Sequence, residues 1–182
     1  RNWLDSVPDK DFEESDYFRH YMGLLNSERL NQILEKYDLE VNFYLHAKFQ
    51  EYADTFKSIS KRIHLISFGE VAVNEMLMRC RMLITDYSSV CWDILYQDKP
   101  SLFYQFDIEK YNEAHGSYID METELWGDRC TEQEDLVHLI KDYAENGFQE
   151  KQKYAEMRKE YFAYIDHNNC QRTYEYIKSQ GY

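Results

Sequence analysis

Short apolar runs alternate with amphipathic stretches along this chain. Between Ser27 and Tyr37, the residues Leu30, Ile33, Leu34 and Tyr37 recur on one face at helical spacing, behind a serine that can cap. That pattern predicts a helix. Val41–Leu45, Ile63–Phe68, Met82–Thr85 and Ser101–Phe106 read as four strands. Helical patterns fall between them, over Gln50–Ile59, Val73–Arg79 and Ser89–Tyr96, and residues 1 to 20 read as a loop entering a short helix. Strands that alternate with helices imply a parallel sheet of βαβ units with helices on both faces. In such sheets ligands bind beyond the carboxyl ends of the strands. His46, Gly69, Asp86, Ser88, Ser89 and Asp107 all fall at those ends.

Residues 107 to 131 read as a long irregular connection containing Gly116, Trp126 and Gly127. Connections of that length are usually functional or disordered. From Thr131 the pattern is helical, over Glu132–Glu145, Glu150–Ile165 and Gln171–Ser179. The charged run Glu150-Lys151-Gln152-Lys153 reads as a solvated helix face. One domain is expected over residues 1–182, with an α/β core over about 1–130 and a helical tail over 131–182.

Charge narrows the function. The formal net charge is −13, which argues against a nucleic-acid binder and against a membrane anchor in this segment. Any phosphate site must then rest on local donors, and the candidates are Arg1, His46, Lys48 and the backbone amides near Ser88. The four cysteines form no CxxC pair and no zinc spacing; Cys80 and Cys91 read as buried thiols, as suits a reducing cytoplasm. No run approaches the roughly 20 apolar residues of a membrane helix. The chain starts at Arg1 without a methionine and is expected to be a cut segment of a longer parent.

The densest cluster of candidate chemistry is Thr85-Asp86-Tyr87-Ser88-Ser89, between the third strand and the helix that follows. A helix N-terminus there offers free amides and a partial positive charge to an anion, and the two serine hydroxyls add donors. The alternative is that Asp86 or Ser88 only caps the helix. His46, at a strand end, can donate to a leaving phosphate or move a proton, or can be a structural histidine. Glu75 can bond a ribose at such a cleft, or serve as a helix N-terminal charge. Asp93 is expected to hydrogen-bond within the core, and its spacing from Asp86 makes no metal site; no metal is expected. His20, His138 and His167 are expected to have no chemical role.

The ordered series Ile84-Thr85-Asp86-Tyr87-Ser88-Ser89-Val90, Asp93, Lys99-Pro100-Ser101-Leu102-Phe103-Tyr104, Asp107-Ile108-Glu109-Lys110-Tyr111 and Gly116-Ser117-Tyr118-Ile119-Asp120 resembles the C-terminal half of the CDP-glycerol glycerophosphotransferases. These enzymes build teichoic acids and related polymers. The resemblance runs from about Arg1 to about Ile140. It implies the second Rossmann-like domain of a GT-B fold, the one that holds the CDP-linked donor, with the N-terminal acceptor domain absent from this chain. It also implies that an apolar strand precedes the element echoed by Arg1-Asn2-Trp3, so that a sheet edge is left exposed.

The resemblance further implies that His46 is the family's second essential histidine, although Ala47 stands where the family has proline. Ser88, Ser89 and the amides after Asp86 would hold the pyrophosphate, Lys48 would add charge nearby, and Asp86 would orient the turn or contact donor hydroxyls. The general base would lie in the other domain, leaving this segment inactive alone. His115 stands where the family often has arginine, and Trp126-Gly127-Asp128 replaces a Gly-Pro step. The donor is a substrate, so no cofactor is expected. The acceptor would be a cell-surface polymer or its lipid-linked primer, and the parent would be cytoplasmic and peripheral on the inner face of a bacterial membrane. The alternatives are a GT-B sugar transferase with another nucleotide donor, or a non-catalytic docking domain of a polymer-assembly complex.

Overall fold

The computed structural model describes residues 12–181, excluding the side chains of residues 47 and 48. The chain runs α1 (Asp16–Leu25), α2 (Glu28–Lys36), β1 (Val41–Tyr44), a 3-10 helix (Ala47–Thr55), β2 (Ile63–Ile66), α3 (Val73–Arg79), β3 (Leu83–Thr85), α4 (Cys91–Tyr96), β4 (Ser101–Tyr104), α5 (Ile108–Ala114), β5 (Asp128–Cys130), α6 (Gln133–Glu145), α7 (Gln152–Tyr161) and α8 (Asn169–Ser179). The caps on α1 and α2 are serines: Ser15 Oγ accepts from the Phe18 amide at 3.1 Å, and Ser27 Oγ from the Leu30 amide at 3.2 Å.

Among the described residues all strand pairing is parallel, in two sheets, β1–β2 and β3–β4–β5. Among the described residues no strand joins β1 to β3. The alternation of elements alone suggests a single sheet. The two sheets nevertheless share one core, where Val41, Phe43, Leu45, Ile63, Ile84, Leu102, Tyr104 and Cys130 pack with apolar residues of α1, α2 and α6. On the other face, Cys91 and Leu95 of α4 and Tyr154 of α7 pack with Phe103, Leu125 and Trp126. β4 is buried at every residue, as a central parallel strand should be.

Three sequence expectations change. The segment 107–131 is not irregular throughout: it holds α5 and β5. β5 reads Asp-Arg-Cys and has no apolar signature; it forms a strand because the second edge of β4 is there to pair with it. The Gln50–Ile59 helix is instead a 3-10 helix that begins directly after His46. It is held by rings, with Phe12 stacked on Tyr52 at 3.9 Å and Tyr17 on Phe49 at 5.0 Å. Asp93 lies exposed in the first turn of α4, not in the core, because that face of the short helix points outward.

Trp126 and Gly127 form a packed corner. The indole N–H donates to the Cys91 carbonyl at 3.2 Å. A Cβ on Gly127 would stand 2.3 Å from the Ser101 carbonyl oxygen, so only glycine lets the chain pass this close to β4.

The run Glu150–Lys153 is not wholly a solvated face. The Glu150 side chain is 5% exposed and pairs with Arg158 at 2.7 Å, while Lys151, itself exposed, holds its Nζ 2.6 Å from Asp128. Burial pushes the Glu150 carboxyl above its ordinary range. Burial also opposes the charge on Asp128, but hydrogen bonds from Lys151, Tyr154 and Tyr143 together outweigh it and hold that carboxyl below its usual value. Asp128 thereby ties β5 to α6 and α7.

A depressed carboxylate pKa stabilises the fold above the unfolded pKa, and that stability is lost as pH falls through the folded value. Asp128→Asn is therefore expected to lower stability by about 1–3 kcal/mol at neutral pH. The gap from wild type should close below about pH 4. Calorimetric melting across that range checks this; a gap independent of pH would refute it.

Candidate functional site

The carboxyl end of β3 delivers Asp86 into a tight turn. Asp86 Oδ1 accepts the Tyr87 amide at 2.6 Å. The Ser88 carbonyl then accepts from the Cys91 amide at 3.2 Å and the Ser89 carbonyl from the Trp92 amide at 3.1 Å. Val90 is the helix cap, with no side-chain bond, so neither Asp86 nor Ser88 caps α4. Among the described residues the amides of Ser88, Ser89 and Val90 make no hydrogen bond. Ser89 is exposed and Ser88 half-buried. The turn thus offers three amides and two hydroxyls in sequence, a donor set suited to an anion.

The turn is held from behind by the segment after β4. Gln105 is wholly buried. Its Nε2 donates to the Asp86 carbonyl at 3.4 Å, and its Oε1 accepts from Arg129 Nε at 2.8 Å. Asp107 is also buried, and its Oδ1 accepts from the Tyr87 hydroxyl at 2.9 Å. The Tyr87 ring stacks on Tyr111 of α5, with centroids 3.8 Å apart and planes within 4°. Burial pushes the Cys91 thiol, just past the turn, up to about 12, so it stays protonated at neutral pH.

The structure brings Asp86, Ser88 and Ser89 into one turn. His46 stands exposed at the end of β1, where its carbonyl accepts the Phe49 amide at 2.8 Å. It therefore sits on the other sheet, also at a carboxyl end. Glu75 is exposed in the first turn of α3, on a third element. Arg1, with Asn2 and Trp3, and the Lys48 side chain lie outside the described residues. Cys80 is half-buried, and only Cys91 of the expected pair is buried. His20 is structural: Nδ1 lies 2.8 Å from the Tyr104 hydroxyl, and the ring stacks on Phe106 at 4.1 Å.

Sequence reasoning missed Tyr87, Gln105, Tyr111 and Arg129. The four-residue spacing from Asp107 to Tyr111 was a usable signal, since it puts both on one helical face. Arg129 had none, because β5 itself was not readable. A cavity of about 300 Å³ lies beside Arg129, lined also by Glu122, Thr123, Leu125 and Tyr154. The Asp86–Val90 turn does not line it. Among the described residues no group of three or more His, Cys, Asp or Glu could hold a metal ion.

Comparison with known proteins fits this arrangement. The sequence model of the CDP-glycerol:poly(glycerophosphate) glycerophosphotransferases matches residues 9–179. The chain belongs to that family. This glycerophosphotransferase-family chain is 29% identical over 168 residues to the minor teichoic acid biosynthesis protein GgaB of Bacillus subtilis, a match covering 91% of the chain and 18% of GgaB. It is 32% identical over 92 residues to the teichoic acid poly(ribitol-phosphate) polymerase of Bacillus spizizenii, covering 50% of the chain and 14% of the polymerase. It therefore spans less than a fifth of the length of either relative.

The fold is shared with the wall teichoic acid polymerase TagF, a GT-B-like enzyme, at TM-score 0.62 and 23% identity, over 86% of this chain and 39% of that one. A TagF variant soaked with CDPG superposes at TM-score 0.56 and 21% identity, over 84% and 47%.

Gln105→Leu is expected to destabilise the family chain by about 1–3 kcal/mol, because it strips the Asp86 carbonyl and the Arg129 Nε of a buried partner. Denaturant unfolding checks this, and a variant as stable as wild type would show that the amide holds nothing.

Proposed function

We propose that this chain is the donor-binding domain of a transferase that moves glycerol phosphate from CDP-glycerol to a hydroxyl of a cell-surface polymer or its lipid-linked primer. The observation that carries the reading is the Asp86–Val90 turn, whose Ser88, Ser89 and Val90 amides bond to nothing among the described residues and whose two serines add hydroxyls, at a strand carboxyl end in a member of this family. The whole of residues 1–182 forms the one donor-side domain, its α/β core over about 1–130 and helical tail over 131–182. The acceptor-side domain belongs to other parts of the parent.

In the transfer, an acceptor hydroxyl attacks the β-phosphorus of the donor. The bond from that phosphorus to the bridging oxygen breaks, and CMP leaves with the electron pair. The hydroxyl proton passes to a base outside this chain. The chain's own part is positioning and charge stabilisation, which dominate phosphoryl transfer. Ser88, Ser89 and the turn amides hold the pyrophosphate oxygens. Asp86 orients the turn. His46 donates to the leaving phosphate, Arg1 and Lys48 add positive charge, and Glu75 bonds the ribose. CDP-glycerol is consumed as substrate, so the reaction calls for no cofactor. Among the described residues no helix is long and apolar enough to cross a membrane, and the parent is read as cytoplasmic and peripheral on the inner face of the membrane. Ribitol phosphate is the second reading for the transferred group, favoured by the likeness to the ribitol-phosphate polymerase.

Calorimetric titration with CDP, CDP-glycerol, UDP and ADP tests the donor site. Cytidine nucleotides should bind best, and Ser88→Ala/Ser89→Ala should weaken them roughly ten-fold or more, since hydrogen bonds to a charged group are lost. Equal affinity for all four nucleotides would overturn the reading. In the parent enzyme, His46→Ala should lower kcat by about 10²–10⁴-fold. CMP release measures this, and a docking domain would keep its rate.

A further inference from the structure

We propose that Tyr87 is a positioning residue, whose ring stacked on Tyr111 and hydroxyl bonded to Asp107 set the geometry of the Asp86–Ser89 turn for a nucleoside diphosphate. The functional half of this inference rests on the donor-site reading above.

The turn Asp86-Tyr87-Ser88-Ser89 contains no glycine or proline to fix its path. Beyond the bonds that the Ser88 and Ser89 carbonyls accept from the Cys91 and Trp92 amides, its path is set by side chains. Tyr87 is the one residue of the turn that reaches another element by both ring and hydroxyl. The ring lies flat on Tyr111, 3.8 Å away and within 4° of parallel, and the hydroxyl donates to Asp107 Oδ1 at 2.9 Å.

The two receiving groups are themselves preset. The Asp107 carbonyl accepts the Tyr111 amide at 3.0 Å, so carboxylate and ring are one turn of α5 apart. Asp107 is 8% exposed and cannot easily swing away.

Two facts separate this clasp from ordinary core packing. Neither Tyr87 nor Tyr111 belongs to either hydrophobic cluster, so the stack contributes to local geometry more than to global burial. The clasp also acts on the residue directly before Ser88. Tyr87 is pinned at three points: its amide on Asp86, its hydroxyl on Asp107 and its ring on Tyr111. A residue pinned that way fixes where the next two amides point. A pre-set donor array binds an anion without first paying to order itself. Loosening it should weaken diphosphate binding and leave the nucleoside's own contacts intact.

The test compares wild type with Tyr87→Phe, Tyr111→Ala and Tyr111→Phe. Tyr87→Phe removes one oxygen and keeps the stack, so the fold survives. Tyr111→Phe keeps the ring and with it the stack on Tyr87, so any loss it shows measures the hydroxyl apart from the stack. The first readout needs no ligand: ¹⁵N relaxation at Ser88 and Ser89. Order parameters there should fall from about 0.85 toward 0.6 in Tyr87→Phe and Tyr111→Ala, with little change across the core. The second is the dissociation constant for CDP against that for cytidine. CDP should weaken roughly ten-fold in those two variants while cytidine is unchanged.

Unchanged order parameters at Ser88 and Ser89 in both variants would overturn the proposal, as would equal losses for CDP and cytidine. If the turn loosens as expected but wild type itself binds no CDP, the donor-site reading fails and the clasp stands as a purely conformational device.

Discussion

The structure depends on the pairing of β4 with a strand on each side. Its four residues are all buried, with Leu102 and Tyr104 in the core beneath α1 and α6, and Phe103 in the second cluster beneath α4 and α7. A strand enclosed on both faces and both edges has one position only. Because β3 is in register with it, the end of β3 is fixed, and with it the Asp86 turn. The residues that follow β4, Gln105 and Asp107, come out level with that turn and take hold of it. Where the turn stands is thus a consequence of strand register.

The chain is strongly acidic, yet the proposed ligand is an anion. The two are compatible because the donors at the turn are backbone amides and hydroxyls held at short range. A fixed dipole within hydrogen-bond distance outweighs a diffuse negative field that solvent and salt screen beyond about 10 Å. The acidic surface elsewhere then bears on solubility and on which faces approach other anionic surfaces, with little effect on the local contact.

The helical tail is attached by polar groups as much as by apolar ones. Asp128 joins Lys151, Tyr143 and Tyr154, and Arg158 joins Glu150 and Asp98. These pairs tolerate burial because each charge has partners, whereas a lone charge there would be costly. α7 therefore seats on the β5 side with a defined orientation. α8, by contrast, buries no residue and leaves Tyr174, Tyr176 and Ile177 exposed.

Much of this was legible in the chain. The spacing of apolar positions gave α2, α3 and α6 to within a residue or two, and the alternation of elements gave a parallel α/β fold. The placement of Asp86, Ser88, Ser89 and Asp107 beyond the ends of β3 and β4 followed from the same pattern, because a parallel sheet sends its strand ends to one side; His46 lies beyond the end of β1, in the other sheet. The family was readable from ordered motifs, which are a property of sequence. Tertiary structure alone decided the rest. Asp-Arg-Cys becomes β5 only because β4 has an edge to pair. Glu150 looks solvated until Arg158 comes up against it. Gln105 and Tyr87 gain a role only when β3 and β4 lie side by side. Local pattern records how a segment meets water, and these residues are instead defined by partners many positions away, which no local pattern contains.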